Sequence, residues 1–79
     1  MNYTDGQEAM LGDEVLIEGQ HRGIVVACID SGQYSVHYPK TDWAYLMEGT
    51  LIDTDFGGLI HYKSSANESI VLVKRGVNL

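Results

Sequence analysis

His21, His37 and His61 raise the question of a metal site, which spacing alone does not answer because residues distant in sequence can converge. None stands four residues from another on a helical stretch, and no Cys-x-x-Cys pair accompanies them, so no local pattern gathers a ligand set. No metal or other cofactor is expected. Serine, histidine and aspartate are all present, yet no Gly-x-Ser-x-Gly elbow marks an activated nucleophile. Gly57-Gly58 has no following helix to complete an anion site and reads as a turn. Asp42, Glu48, Asp53 and Asp55 lie close in sequence, and paired carboxylates can do general acid and base work, but on a small barrel a solvated acidic face is the simpler reading. The chain is therefore expected to bind rather than to catalyse.

The binding residues suggested by composition are aromatic. Tyr34, Tyr38, Trp43 and Tyr45 are four of the seven aromatics and occupy one stretch, and Phe56 follows at the tip of a later hairpin. Aromatic side chains give a large contact area at low entropic cost, which is why they anchor interfaces. The alternative is that Trp43 and Leu46 plug the core, and both readings hold together if Trp43 faces in while Tyr38 and Tyr45 face out. The expected partner surface comprises residues 34–48 and the hairpin tip, with Tyr38, Tyr45 and Phe56 as apolar anchors and Asp42, Asp53 and Asp55 as a charged rim.

Eleven acidic residues against five basic ones give a net charge of −6 and a pI near 4.7. Arg22, Lys40, Lys63, Lys74 and Arg75 are too few for the phosphate neutralisation on which nucleic-acid affinity rests. The balance suits a basic protein partner, and it equally serves solubility. No apolar run approaches the roughly 20 residues that span a bilayer. The N-terminus lacks the basic and apolar regions of a secretory signal, so a cytoplasmic location is expected. Cys28 has no second cysteine to pair with and lies in an apolar run, the setting of an inert buried thiol.

These side chains must be positioned by strands. Residues 1–79 suffice for one domain. Tyr3 to Glu8 carries an Asp-Gly turn and reads as an N-terminal arm. The Gly12-Asp13 turn launches a strand from Glu14 to Ile17, with Val15 and Ile17 on one face and Glu14, Leu16 and Glu18 on the other. After a loop over Glu18 to Arg22, the run from Gly23 to Asp30 is nearly continuous in apolar residues, as in a strand covered on both faces. Ser31-Gly32 ends it, and Pro39 stops strand pairing after Tyr38. Thr41 or Asp42 is placed to cap one or two helical turns that Gly49 ends. Residues 50–54 and 58–62 form a hairpin, residues 63–68 are a polar turn, and residues 69–74 close the sheet ahead of a fraying tail. Alternation predicts that Val15, Ile17, Val25, Ala27, Ile52, Ile60, Val71 and Val73 are buried.

The first hairpin, Gly12-Asp13-Glu14-Val15 leading through a loop to Gly23-Ile24-Val25, resembles that of SH3-like barrels, including KOW and Tudor-like modules. The resemblance implies an all-β, SH3-like barrel of about five strands with a short helical insertion between strands 2 and 3. The KOW likeness brings a nucleic-acid-binding alternative, although the basic residues of such modules are largely missing here. Taken with Tyr3 to Gly6, Gly23 to Val26 and the stretch from Trp43 to Tyr62, the chain is similar to small bacterial proteins of mobile gene cassettes and toxin-immunity pairs. That likeness implies a stand-alone protein-binding module and carries over no catalytic residue.

Overall fold

The computed structural model describes residues 2–3, 5–63 and 70–76. Six strands form one antiparallel sheet: β1 (Glu14–Ile17), β2 (His21–Cys28), β3 (Gln33–Tyr34), β4 (Thr50–Thr54), β5 (Gly58–Tyr62) and β6 (Ile70–Lys74). Their order is β5-β4-β2-β1-β6, and β3 pairs with the far end of β2. The all-β class is as expected. The sheet is not closed, because among the described residues β5 and β6 are its two edges.

β2 organises the sheet. It pairs with β1 from His21 to Ile24 and with β4 along most of its length, and the β4 register shifts between Val25 and Ala27. Such a bulge adds a residue, bends the strand and re-aims the side chains that follow. Val25 and Cys28 accordingly enter one core with Tyr3, Ala9, Val15, Ile17, Ile52 and Ile70. Val26, Ala27 and Ile29 enter a second core with Leu51. From Val25 to Cys28 the strand is thus covered on both faces, as its composition predicts, whereas Ile24 stays exposed.

Between β2 and β4 the chain leaves the sheet. A short 3-10 turn (Ile29–Ser31) precedes β3, and one helical turn, α1 (Lys40–Trp43), leads into a second 3-10 turn (Ala44–Leu46). The helix is capped two or three residues earlier than the expected Thr41 or Asp42: Pro39 is the N-cap, no side chain caps it, and its carbonyl accepts from the Asp42 and Trp43 amides. The excursion is tied off where the Ile29 amide donates to the Gly49 carbonyl and the Gly49 amide to Asp30. Gly49 has φ of +99°, and a Cβ there would run into the Tyr62 carbonyl.

The β4–β5 hairpin turns through Asp55, Phe56 and Gly57, with Thr54 opposite Gly58. The Thr54 hydroxyl donates to the Gly58 carbonyl and accepts from the Gly57 amide. The second strand starts at His21, so the preceding loop is shorter than expected, and it ends at Cys28. The polar turn expected over residues 64–68, the start of the last strand at residue 69 and the tail at 77–79 lie outside the described residues.

The last strand is turned over relative to expectation. Val15 stands opposite Leu72 and Ile17 opposite Ile70, and opposed residues share a face. Ile70 is buried, whereas Val71 and Val73 are 49 % and 52 % exposed. Four successive apolar residues carry no alternation, so pairing with β1 decides the parity. Ile60 is half-buried because β5 is an edge strand. Arg75 does not fray. Its guanidinium donates to the wholly buried Asp13 carboxylate at 2.8 Å, to the Glu8 carbonyl at 3.0 Å and to Gln7 Oε1 at 3.0 Å.

The two registers make opposite predictions. Val25→Asp places a charge in the first core and should cost about 3–5 kcal/mol, whereas Val71→Asp should stay within roughly 1 kcal/mol of wild type. Urea denaturation of both variants measures this, and equal losses would reject the β6 parity. Burial also pushes the Cys28 thiol from 9.0 up to about 12, and burial with the hydrogen bond to Asp13 raises the Tyr3 phenol. Both groups hold their protons more tightly when folded, so their contribution is complete below pH 9 and is lost as pH rises toward 12. The urea midpoint should fall between pH 8 and about 10.5, and the fall should be smaller in Cys28→Ala.

Candidate functional site

Strand alternation that sends Val15, Val25 and Ile52 inward sends Glu14, Ile24 and Asp53 outward. The register then places Glu14 opposite Ile24 and Ile24 opposite Asp53, one outward row across three adjacent strands. Arg22 and Asp55 continue the neighbouring row: the Arg22 amide donates to Asp55 Oδ2 at 3.1 Å and the Asp55 amide to the Arg22 carbonyl at 3.0 Å. Together Glu14, Arg22, Gly23, Ile24, Asp53, Thr54 and Asp55 line an open pocket of about 360 Å³.

The electrostatics follow from the side chains. The Arg22 guanidinium donates to Glu14 Oε2 at 2.6 Å, which leaves Asp53 and Asp55 without a guanidinium of their own at this pocket. His21 Nδ1 lies 3.6 Å from Asp55 Oδ1, and Phe56 stacks on the His21 ring with centroids 4.3 Å apart. The Arg22–Glu14 pair is largely exposed on the arginine side, so its own worth is under about 1 kcal/mol. An apolar floor at Ile24 with carboxylates around it suits a cationic group carried on an aliphatic stem.

The excursion forms a second group. Tyr38 and Trp43 lie with ring centroids 6.1 Å apart, and Trp43 and Tyr45 with centroids 6.5 Å apart. Trp43, Tyr38, Tyr34 and Leu46 pack on the second core, whereas Tyr45 is 72 % exposed and Asp42 is exposed. Met47, two residues after Tyr45, and Val36, at the start of the excursion after β3, are exposed as well. Trp43 therefore faces in and Tyr45 out, while Tyr38 is a half-buried part of the second core as well as of the aromatic row.

Of the six residues expected at an interface, Asp53 and Asp55 meet in the pocket, with Phe56 attached through His21. Tyr38, Asp42 and Tyr45 belong to the excursion. No ring contact joins Phe56 to the other aromatics among the described residues. Leu59 links the two groups, since it lies opposite Asp53 and packs on the core that Tyr38 and Trp43 cover. Glu14, Arg22 and Ile24 were not expected here. They come from the first hairpin, and the signal that finds them is the outward parity of β1 and β2 combined with the β2–β4 pairing.

The histidines occupy three separate places. His21 sits against Phe56, His61 Nε2 is 2.7 Å from the Glu48 carbonyl, and His37 is exposed in the excursion. No group of three His, Cys, Asp or Glu side chains able to hold a metal occurs among the described residues. The Ser35 hydroxyl donates to the Val26 carbonyl and the Ser31 hydroxyl to the Cys28 carbonyl. No described helix is long and apolar enough to cross a membrane. In comparisons with known proteins, no family model, curated protein or solved structure matched the chain.

Inward and outward aromatics of the excursion should respond differently to truncation. Trp43→Ala should cost about 2–4 kcal/mol in urea denaturation, and Tyr45→Ala should stay within about 0.5 kcal/mol of wild type. A large loss in Tyr45→Ala would place that ring in the core.

Proposed function

We propose that this chain is a small non-catalytic protein-interaction module built on an SH3-like barrel plan, and that it acts in the bacterial cytoplasm as an accessory or immunity-type inhibitor. The strand path supports the fold part of this reading: β1, β2, β4 and β5 form a meander, and β6 returns beside β1. The excursion between β2 and β4 supplies the short helical insertion. The likeness of its motifs to small bacterial cassette and immunity proteins supports the inhibitory role.

The observation that carries the reading is the open pocket between β1, β2 and β4, where three carboxylates surround an apolar floor and meet one guanidinium. A basic side chain from a partner would lay its methylenes on Ile24 and bring its charge to Asp53 and Asp55. Rim carboxylates steer such a partner during encounter, and buried aromatics hold it afterwards. The exposed Tyr45 and Phe56 are the anchors available on either side of Leu59. A KOW- or Tudor-like nucleic-acid role draws little support, because Arg22 is engaged with Glu14 and Arg75 with Asp13. The remaining lysines are few against the acidic surface.

A partner captured from the source cell provides the test. Asp53→Asn and Asp55→Asn should lower a salt-dependent on-rate, while Tyr45→Ala and Phe56→Ala should raise the off-rate by an amount equivalent to about 1–3 kcal/mol. Each variant must keep the wild-type melting temperature. Unchanged kinetics in all four folded variants would remove this surface from consideration. Strongly salt-sensitive gel shifts with RNA or DNA would instead favour the nucleic-acid reading.

A further inference from the structure

The N-terminal arm is attached to the molecule mainly through side chains. Its own turn is internally complete: the Tyr3 amide donates to the Gln7 carbonyl at 2.8 Å, the Gly6 amide to the Tyr3 carbonyl at 3.0 Å, and Asn2 bridges Glu8. Asp5 accepts from both the backbone and side-chain nitrogens of Gln7. Among the described residues, however, the arm joins no strand of the sheet. Two buried side chains, Tyr3 and Ala9, seat it on the first core. Beyond these, side-chain hydrogen bonds fasten it to its surroundings.

Those bonds converge on Asp13. The Tyr3 hydroxyl donates to Asp13 Oδ2 at 2.6 Å and the Met10 amide at 2.9 Å, and Arg75 reaches the same oxygen while also holding the Gln7 side chain and the Glu8 carbonyl. Beneath the arm lies Cys28, whose thiol donates to the Ala9 carbonyl at 3.3 Å and is 3 % exposed. At the arm's inner end Met10 is exposed, and Gly12 has φ of +82° with its amide bonded to the Val25 carbonyl. The sheet therefore holds its place at Gly12 independently of the arm.

We infer that residues 2–10 form a strap that opens as a unit about residues 10–12 while the sheet stays folded, and that Asp13 and Arg75, held to each other and each bonded to the arm, form the latch that sets how often it opens. Opening withdraws Tyr3 and Ala9 from the first core and uncovers Cys28 together with the neighbouring faces of Val15 and Val25. Among the described residues, no ladder of backbone hydrogen bonds joins the arm to a strand and has to break. Segments held by few buried contacts and no ladder belong to the low-stability end of a protein's local opening events. The strap thus guards an apolar surface separate from the acidic pocket.

Cys28 reports the opening directly. The full-length chain is reacted with an aromatic disulfide reagent at pH 8, and thiol release is followed at urea concentrations below the unfolding transition. A wild-type labelling rate nearly independent of urea at low concentration, steepening only toward the global transition, is the expected result, because strap opening exposes little surface. Arg75→Gln should raise the low-urea rate at least tenfold, by more than its shift in the global unfolding equilibrium accounts for. Gln7→Ala, which removes the bond to Arg75 and the bond to Asp5 within the arm at an exposed site, should raise it by a smaller factor with the urea midpoint nearly unchanged. Labelling that follows the global unfolding slope at every urea concentration would overturn the proposal. So would immediate stoichiometric labelling of the native wild type, or a Gln7→Ala rate equal to wild type. Should Arg75→Gln fail to fold, the wild-type urea profile and Gln7→Ala decide the matter between them.

Discussion

A carboxylate with no exposed surface must have its lone pairs satisfied, and in this protein that requirement draws together segments from both ends of the chain. Asp13 accepts from Tyr3, Met10 and Arg75 through Oδ2, and from the Gly76 amide through Oδ1 at 3.3 Å. Its own carbonyl accepts from the Val25 amide, which ties the same residue to β2. Gly76 passes so close to Gly12 that a Cβ on it would strike the Gly12 backbone. Breaking one partner of a buried ion pair costs far more than the pair gains over an apolar replacement, so the arrangement specifies geometry more than it adds stability. Given this junction, β1 starts in one place, β6 ends beside it, and the arm lies over the first core.

How much of this was legible depends on whether a signal was local. Val15 and Ile17 alternate with Glu14 and Leu16, and their inward parity is correct. Gly57-Gly58 between two β-rich segments defines the second hairpin, whereas pairing of β3 with β2 ends at Tyr34, short of Pro39. By contrast, Ile70-Val71-Leu72-Val73 has no polar residue to mark a face, so its parity is set by register with β1, a partner more than 50 residues distant. The junction at Asp13 was equally hidden. Tyr3 and Arg75 lie 10 and 62 residues from it, and nothing in composition distinguishes this aspartate from the other acidic residues. The turn before β1 was visible, and what its side chain does there was not.

The candidate site divides along the same line. Asp53, Asp55 and Phe56 were found because they sit around one hairpin, and their partners Glu14, Arg22 and Ile24 were missed because they arrive from another. The aromatic stretch was recognised as a unit, but its composition could not separate Trp43, which packs inward, from Tyr45, which does not. A helical turn of four residues is too short to establish an amphipathic pattern. Two small cores back to back explain the division of labour, since the excursion exists to cover the second one.

That excursion has a consequence for how such a protein changes over generations. Tyr34, Tyr38, Trp43 and Leu46 bind the segment to the second core, while Val36, Tyr45 and Met47 on the same segment face solvent. The outward positions carry no share of the packing, so they are free to drift, and the inward ones keep the segment seated while they do. The first core, built from β1, β2, β4, β6 and the arm with Tyr62 packed against it, meets this region through β2, β4 and β5. A lineage of such chains can therefore change the exposed surface of these dozen residues and leave the fold's founding contacts untouched.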